Sequence, residues 1–484
     1  MHTVKMSIMR KTLMMTMSSA CLLIFLIGEV QAQENMLAMP LQPQAAQATV
    51  TPPPLTRLET VLSNVYESNP TLRAARAELM AVHENLPQAL GGWKPSLNLE
   101  SDITNSSIEN DNQPAIDGTS KSLGVSLNQP LYRGGRTMAS IEAARSFILG
   151  QRKSLRNIEQ IVLLDTVAAY MSVVRDRALL DLNNNNNIVI SRQRDATRSR
   201  FELGETTRTD VSQAEARLSR ANADIAIASS NLQASQAAYK RLTGNTAGKL
   251  GNPDVNFPFP QTQDEAREVA LANNPQILAA RAFHKASTYD TDNVFGELLP
   301  DVSLTGSLSR TYDPQLGNID ERDQSLFGIR ASVPLYQSGT IRSRIRQAKH
   351  ISNQRYILIR EAENEVEETV QAAWDALTAS RAEIEARKVQ VEASEIARRG
   401  VEQENELGSR TVLDLLDAEQ ELLDARASLV TAMRNEVVAE FTLASALGFL
   451  GPQMLPLKDY TPVYNQHLGE IQWQIFGINV DSVR

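Results

Sequence analysis

The sequence predicts an α+β membrane protein made of two similar halves, each with one long antiparallel helical hairpin and two membrane-spanning β-strands. A Glu-Leu-Gly step occurs twice, at 202–204 and 406–408, and Gly204 and Gly408 are 204 residues apart (408 − 204). Apolar residues follow a helical period through most of the chain, and in two short regions the period changes to two. The duplication, the helical periodicity and the alternating regions together predict this fold class.

Each Leu-Gly step interrupts a helical pattern, and an Asp follows six residues after the Gly. A Gly just beyond a helix end adopts the left-handed conformation that terminates the helix, and a Ser or Thr shortly after it can cap the next one. We therefore predict two helical hairpin tips, at 203–211 and 407–417, with Gly204 and Gly408 as the turn residues.

The first 32 residues predict a cleavable signal peptide, cut after Ala32. A basic start precedes an apolar run that is too short to cross a bilayer as a helix, and small residues precede the cut. Cys21 is the only cysteine, and its place inside the apolar run disfavours a lipoprotein attachment site. Residues 33–56, rich in Gln, Ala and Pro, are predicted to form a disordered leader.

Composition argues against several classes of function. Without the signal peptide, 45 Lys and Arg (48 − 3) stand against 56 Asp and Glu (57 − 1), so nucleic acid is not expected as a partner. We find no nucleophile–base pair, no cofactor loop and no His pair at metal-ligand spacing, so no enzyme, cofactor or metal site is predicted. No later stretch is expected to be apolar enough to span a membrane as a helix, so an exported chain is either free outside the inner membrane or spans an outer membrane through β-strands.

The two halves repeat the same order of elements. The first structural repeat, 57–248, is predicted to contain a helix, a β-hairpin, a long helix and a shorter helix, at 57–90, 95–130, 136–203 and 206–242. The second repeat, 249–448, is predicted to contain the same elements at 262–296, 300–334, 340–407 and 411–446. The tail, 449–484, carries no periodic signal.

The helix lengths predict a wall of paired helices. In each half, the two short helices together match the length of the long helix, so they can flank it end to end. A long apolar seam would be unstable without partners. We therefore expect the helices to form a cylinder-like wall, an α-helical barrel.

Apolar and polar residues alternate in both β-hairpins, as in half-buried strands. Leu97 and Leu99 alternate with polar residues in the first hairpin, as Phe327 and Ile329 do in the second. Four strands are too few to close a barrel, and an open sheet in lipid would expose unpaired edges. Closure therefore requires several copies, and three would give about 12 strands, an even number in the range of outer-membrane barrels. We expect a homotrimer in contact with outer-membrane lipid.

These features together resemble the TolC-like outer-membrane efflux proteins over residues 57–448. The resemblance depends on the Asn-Pro steps at 69–70 and 274–275, the Pro-Leu-Tyr strand exits at 130–132 and 334–336, the Leu-Gly tips and their order. The family implies a trimer with a 12-stranded outer-membrane barrel and a helical tunnel through the periplasm. Its periplasmic tip stays closed until a periplasmic adaptor protein and an inner-membrane pump, of the RND, ABC or MFS type, engage it.

The resemblance also implies roles for residues at the tips. Arg410 corresponds to an Arg that ties one tip hairpin to a neighbouring subunit, and Thr209 and Asp210 correspond to its partners. The family often has an aromatic residue three positions before the second tip Gly, where this chain has Asn405. The restraint therefore departs from the family pattern at this position.

Asp414 and Asp417 match two acidic positions that ring the family's constriction. They are three residues apart and so share one helix face. Under threefold symmetry, six carboxylates would line a narrow pore, which favours cations and repels anions. The alternative is that these carboxylates only cap or solvate a helix.

Other interpretations stay open. A type I protein-secretion duct would differ only in its partners, and a non-conducting trimeric coiled-coil scaffold or adhesin would form no pore. The run Asn183–Asn187 predicts either a polar face or a local bend. The acidic residues between 361 and 368 predict a solvated face or an adaptor-docking surface, and Trp93 and Tyr132 predict an interfacial aromatic belt or core packing.

Overall fold

The computed structural model describes residues 56–110, 113–253, 257–314 and 320–452. The predicted signal peptide, the leader up to residue 55 and the tail from residue 453 lie outside these residues. The side chains of 108–110 and 113–116 are likewise outside the description.

The described elements follow the predicted duplicated order. The first repeat comprises α1 (Leu58–Ser68), α2 (Pro70–His83), α3 (Asn85–Leu90), β1 (Ser96–Asn110), β2 (Gln113–Arg133), α4 (Arg136–Glu202) and α5 (Arg208–Thr243). The second comprises α6 (Gln263–Asn273), α7 (Pro275–Phe295), β3 (Asp301–Tyr312), β4 (Glu321–Ser332), α8 (Thr340–Glu406) and α9 (Val412–Ala446). The two long helices, α4 and α8, each have 67 residues.

The Asn-Pro steps divide what the sequence predicts as single helices. Asn69 has an extended backbone and its side chain accepts hydrogen bonds from the first turn of α2, so it ends α1 and caps α2. Its amide also donates to the carbonyl of Leu242 at the end of α5 (2.9 Å). In the second repeat, Asn274 caps α7 in the same way and donates to Ala446 at the end of α9 (3.0 Å). Each Asn-Pro step therefore joins two short helices end to end. The prediction of one helix over 57–90 is wrong, because this range contains the three helices α1, α2 and α3.

The core lies where short helices meet the middle of the long ones. One apolar cluster joins α1, α4, α5 and α9, with Leu163, Val167 and Tyr170 of α4 fully buried. A second joins α6, α7, α8 and α9 around Val366, Val370 and Leu443. This packing matches the predicted wall, in which short helices flank a long one.

The α4 helix contradicts the expectation that no stretch after the signal peptide is apolar enough to span a membrane as a helix. It contains an 18-residue window that is apolar enough and long enough to cross a membrane, which makes it the single such helix in the described part of the chain. Half of that window is buried inside the chain. The apolar residues of α4 therefore also serve the packing of the helical wall.

The four strands form one antiparallel sheet in the order β1-β2-β3-β4. The sequence predicts a polar loop over 108–118 in the first β-hairpin, where turn-forming and charged residues are dense. This predicted loop is too long, because β1 and β2 stay paired as far as Asn110 and Gln113. Residues 104–107 and 117–122 carry no apolar side chain, so the sequence has no alternation there to indicate a strand.

The sheet has one apolar and one polar face. Leu99 pairs with Val125, and Val125 with Leu308, so these side chains lie on the same face, which is widely exposed in the single chain. Asn98, Ser126 and Ser307 form a row on the other face. Both edges, β1 and β4, have no neighbouring strand among the described residues. Trp93 and Tyr132 are 45% and 44% exposed at the helical end of the sheet, which favours the aromatic belt over core packing.

Candidate functional site at the helical tips

Both tips turn through the same backbone geometry. Gly204 and Gly408 have φ angles of +81° and +78°, in the left-handed region that favours Gly. The N–H of Glu205 donates to Arg200, and the N–H of Ser409 donates to Glu404, each at 2.9 Å. These bonds close the last turns of α4 and α8 in the same way.

The Asp that follows each Gly caps the next helix. Thr207 and Asp210 form a reciprocal capping box at the start of α5, and Thr411 and Asp414 form one at the start of α9. The non-helical part of each tip, 203–207 and 407–411, is slightly longer than the helix bounds predict, because α4 and α8 end at Glu202 and Glu406 and α5 and α9 begin at Arg208 and Val412. The sequence signal that predicts the tips is a Gly turn followed by a capping box.

Asp414 is both a cap and a candidate gate residue. Its carboxylate accepts hydrogen bonds from the N–H of Thr411 (3.0 Å) and from its hydroxyl (2.8 Å). These bonds hold the pKa of Asp414 below its ordinary value, and Arg410 adds to the effect. The carboxylate is thus held ionised at the tip, as a charged ring requires.

Arg410 has a partner within its own chain. Its guanidinium donates to Glu404 at 2.9 Å, and both side chains are half-exposed. This contact raises the pKa of Arg410. Within the described residues of one chain, the structure does not bring Thr209 or Asp210 to Arg410, and Asp210 is engaged in its own capping box.

Asn405 joins the two tips inside one chain, which the sequence did not predict. Its side chain is 7% exposed and donates to the carbonyl of Arg410 at 3.0 Å. Its amide oxygen accepts a long bond from Arg200 on α4, at 3.5 Å. The signal available in the sequence was the departure from the family's aromatic residue at this position.

Asp417 also reaches the other repeat. Its carboxylate pairs with Arg217 on α5, in a contact between residues 200 positions apart. The pair lies beside an apolar cluster of Ile190, Ala214, Val412 and Leu416, which holds α4, α5 and α9 together. Arg217 carries no pattern that distinguishes it in the sequence, so sequence reasoning missed it.

The second hairpin is further tied by ion pairs between α8 and α9. Arg398 lies 3.0 Å from Glu419, and Arg426 lies 2.5 Å from Glu395. The Arg426 guanidinium lowers the pKa of Glu395. These pairs join α8 to α9 within one hairpin, whereas Asn405 and Asp417 join the two hairpins.

The pattern of tips, helical wall and amphipathic sheet has a match among known protein families. The family model described as outer membrane efflux protein matches residues 61–245 and 266–449. The chain belongs to the outer membrane efflux protein family. The two matched segments correspond to the two repeats.

Relatives support the assignment to the outer membrane efflux protein family. The chain is 32% identical to the outer membrane efflux protein BepC of Brucella suis over 87% of its length and 92% of that protein. It is 27% identical to the outer membrane protein TolC of Escherichia coli, over 81% of the chain and 83% of that protein. It is 24% identical to the alkaline protease secretion protein AprF of Pseudomonas aeruginosa, over 74% of the chain and 76% of that protein.

A solved member of the same fold is the Campylobacter jejuni CmeC outer membrane channel. It superposes with a TM-score of 0.73 over 86% of this chain and 89% of that channel, at 16% identity. The predicted fold class is confirmed, with long duplicated helical hairpins and four strands per chain. As a member of this family, the protein is an efflux duct of the outer membrane.

The acidic stretch of α8 and the Asn183–Asn187 run both make contacts between helices of the wall. Glu363 pairs with Arg281 (2.9 Å) and Glu367 with Arg267 (3.2 Å), so the acidic stretch on α8 is bound to α7 and α6. The Asn183–Asn187 run lies in an unbroken part of α4, which favours a polar face over a bend. Asn187 donates to Asn222 of α5 at 2.8 Å.

The described residues contain no group of His, Cys, Asp or Glu that could hold a metal ion. The clefts along the helices are open and lined by both apolar and polar side chains. One of about 300 Å³ lies between α4, α5 and α9, and its lining includes Asp176, Asn183, Asp224 and Asp424.

Proposed function

We propose that three copies of this chain close into one passive duct that spans the outer membrane and continues into the periplasm. The observation that carries the proposal is the sheet. Its two edges have no neighbouring strand within the part of the chain that the structure describes, and its faces are apolar on one side and polar on the other. Pairing β1 of one copy with β4 of the next removes the edges, turns the apolar face to lipid and leaves a wet interior.

The homotrimer can be tested directly at these edges. The wild-type protein has its only cysteine at position 21, so cysteines introduced into β1 and β4 report on specific pairings. We expect Asn98→Cys and Gly328→Cys, which share the polar face, to cross-link into a covalent trimer in detergent. Asn98→Cys with Ile329→Cys, on opposite faces, is the matched control. A monomer that stays soluble without detergent would contradict the trimer.

The duct is gated at its periplasmic tips. Asp414 and Asp417 of each copy form the charged constriction, and Arg410 restrains the tip by binding Thr209 and Asp210 of a neighbour. The exposure of Asp417 and the half-exposed Arg410–Glu404 pair support this assignment, because a surface ion pair contributes little and can be exchanged for another partner.

Single-channel conductance tests the restraint. We expect trimers with Arg410→Ser to conduct several-fold more than wild type in planar bilayers. Arg399→Ser is the matched control, because Arg399 is an exposed Arg inside α8, about two turns before the helix ends at the tip. Equal conductance of the Arg410→Ser and wild-type trimers would refute the restraint.

The energy for export comes from partners. A periplasmic adaptor docks on the helical wall and connects the duct to an inner-membrane pump of the RND, ABC or MFS type. The open cleft between α4, α5 and α9 supports this docking, since its lining combines apolar side chains with the carboxylates of Asp224 and Asp424. Cross-linking in cells followed by pull-down, with Asp224→Lys as the disrupting variant and Asp264→Lys on α6 as control, identifies the adaptor and the pump.

Type I protein secretion is a second candidate, favoured by the similarity to AprF. A deletion strain separates the two roles. Increased susceptibility to small toxic compounds indicates efflux, whereas loss of a secreted protein from the medium indicates secretion. Absence of ion currents from stable trimers would instead indicate the non-conducting scaffold.

A further inference from the structure

The pair of Arg217 and Asp417 joins the two repeats at the level of the proposed constriction. Arg217 lies on α5 and is 27% exposed, whereas Asp417 lies on α9 and is 57% exposed. The cation is thus the more enclosed member of the pair, and it holds the more exposed carboxylate from one side.

An apolar cluster fixes the position of Arg217. Ala214 and Leu218, on the same turn of α5, pack against Val412 and Leu416 of α9. Leu416 immediately precedes Asp417. The approach of the two helices is therefore set by apolar contacts, and the ion pair lies at the rim of that contact.

The duplication does not account for this pair. With the repeat offset of 204, Asp417 corresponds to Gln213 (417 − 204) and Arg217 corresponds to Glu421 (217 + 204). The equivalent contact of the other repeat would join an amide to a carboxylate. The Arg217–Asp417 pair therefore exists on one side of each subunit only.

The other charged groups near the pair are engaged elsewhere. The carboxylate of Asp414 is held by Thr411, and Arg410 lies on Glu404. Arg220, one turn after Arg217, faces Asp224 on its own helix at 3.8 Å. Among these described groups, Arg217 is the cation that Asp417 binds.

We propose that Arg217 is a positioning residue that holds Asp417 against its own subunit and offsets part of the charge of the constriction. The proposal rests on the proposed function, in which Asp414 and Asp417 line the pore. In a trimer, three Arg217 side chains would compensate three of six carboxylates, which leaves the three of Asp414 uncompensated. Arg217 then sets the ion selectivity of the duct, because the net charge of a ring governs which ions pass.

Reversal potentials under a KCl gradient test this role. We expect Arg217→Gln trimers to have a permeability ratio of K⁺ to Cl⁻ at least about twofold above wild type, since Asp417 loses its counter-charge. Arg217→Lys keeps the charge and is expected to stay near wild type. Arg220→Gln is the matched control, with an Arg removed one turn away and no change expected. Trimers that resist heat on a gel show that each variant is assembled.

The Asp417→Asn variant, used as a second background, separates compensation of the Asp417 charge by Arg217 from a general change in the shape of the pore. In Asp417→Asn trimers, Arg217→Gln is expected to have less than half of its effect on the permeability ratio. An equal effect in both backgrounds, or no effect of Arg217→Gln in wild type, overturns the proposal.

The same experiment distinguishes failure of this inference from failure of the proposed function. Wild-type trimers that pass no current overturn the duct itself. A reversal potential that Asp417→Asn leaves unchanged removes Asp417 from the constriction, and the inference falls with it. If Asp417→Asn changes the reversal potential and Arg217→Gln does not, the inference alone is wrong.

Discussion

The carboxylate of Asp414 accepts two hydrogen bonds from Thr411, so a residue proposed for the gate is also the cap of α9. Asp417 takes no part in that capping box and binds Arg217 instead. The two acidic residues therefore differ in what their removal changes, since loss of Asp414 affects both the helix end and the pore charge.

We expect protonation of Asp414 to loosen the second tip. Its pKa lies below the ordinary value of 3.8 because Thr411 hydrogen-bonds the charged form. Its stabilisation is therefore complete above the ordinary pKa and is lost as the pH falls through the lowered pKa of the folded protein. Hydrogen exchange of amides 411–414, corrected for intrinsic rates, should accelerate below pH 3.8 in wild type.

Two variants control this measurement. In Asp414→Asn, amides 411–414 should exchange rapidly at neutral pH and show no further acceleration in acid. In Asp417→Asn, exchange of these amides should accelerate in acid as it does in wild type. Protection that stays constant through the acid range in wild type would show that the cap does not hold the tip.

We expect Asn405→Ala to weaken the connection between the tips. The substitution removes a donor to the carbonyl of Arg410 and a partner of Arg200. Loss of one such part-buried hydrogen bond costs about 0.5 to 1.5 kcal/mol, so the conductance of trimers in bilayers should rise. Asn364→Ala, at an exposed Asn on the same helix, should leave it unchanged. A rise of equal size in both variants would remove Asn405 from the tip restraint.

The same substitution at two glycines of the second hairpin should have opposite effects. Gly408→Ala forces a Cβ into a left-handed turn at φ +78°, which should destabilise the tip by about 1 to 2 kcal/mol. Gly400→Ala lies inside α8 with open space around it and should stabilise the helix by roughly 0.5 to 1 kcal/mol. Thermal dissociation of the trimer and local hydrogen exchange measure both, and equal signs would contradict the tip geometry.

Tyr170 is expected to tie the linker between the repeats to the helical wall. Its buried hydroxyl lies within hydrogen-bond distance of the carbonyls of Gly251 (2.7 Å) and Thr56 (2.9 Å), which share its single proton, and it accepts from the N–H of Gly251 (3.0 Å). Tyr170→Phe should therefore destabilise the protein by about 1 to 3 kcal/mol. Tyr356→Phe, at a half-exposed Tyr on α8, is the control and should be nearly neutral.

Alkaline unfolding gives a second readout for Tyr170. Burial raises the pKa of its hydroxyl to about 12 from 10.0, so the folded state favours the neutral form. The resulting stabilisation is complete below pH 10.0 and is lost as the pH rises through about 12. The slope of stability against pH in this window should be shallower in Tyr170→Phe than in wild type. Identical slopes would show that another group titrates.

Much of the fold followed from local patterns in the sequence. Gly204 and Gly408 with their capping Thr and Asp residues mark the tips because few residues other than Gly accept a positive φ and few side chains can bond a helix's first N–H groups. Helix and strand periods marked α4, α8 and the sheet. The end of the first β-hairpin loop was misplaced because polar residues on both faces leave no alternation to follow.

What the sequence by itself determined is therefore the duplicated order of elements, the position of the tips and the family, since each depends on short-range chemistry or on an exact repeat offset. Only the tertiary structure decided the partners of the tip residues. Asn405 meets Arg200, and Asp417 meets Arg217, across about 200 residues of chain, because the packing of α4 and α5 against α8 and α9 sets which side chains come within reach.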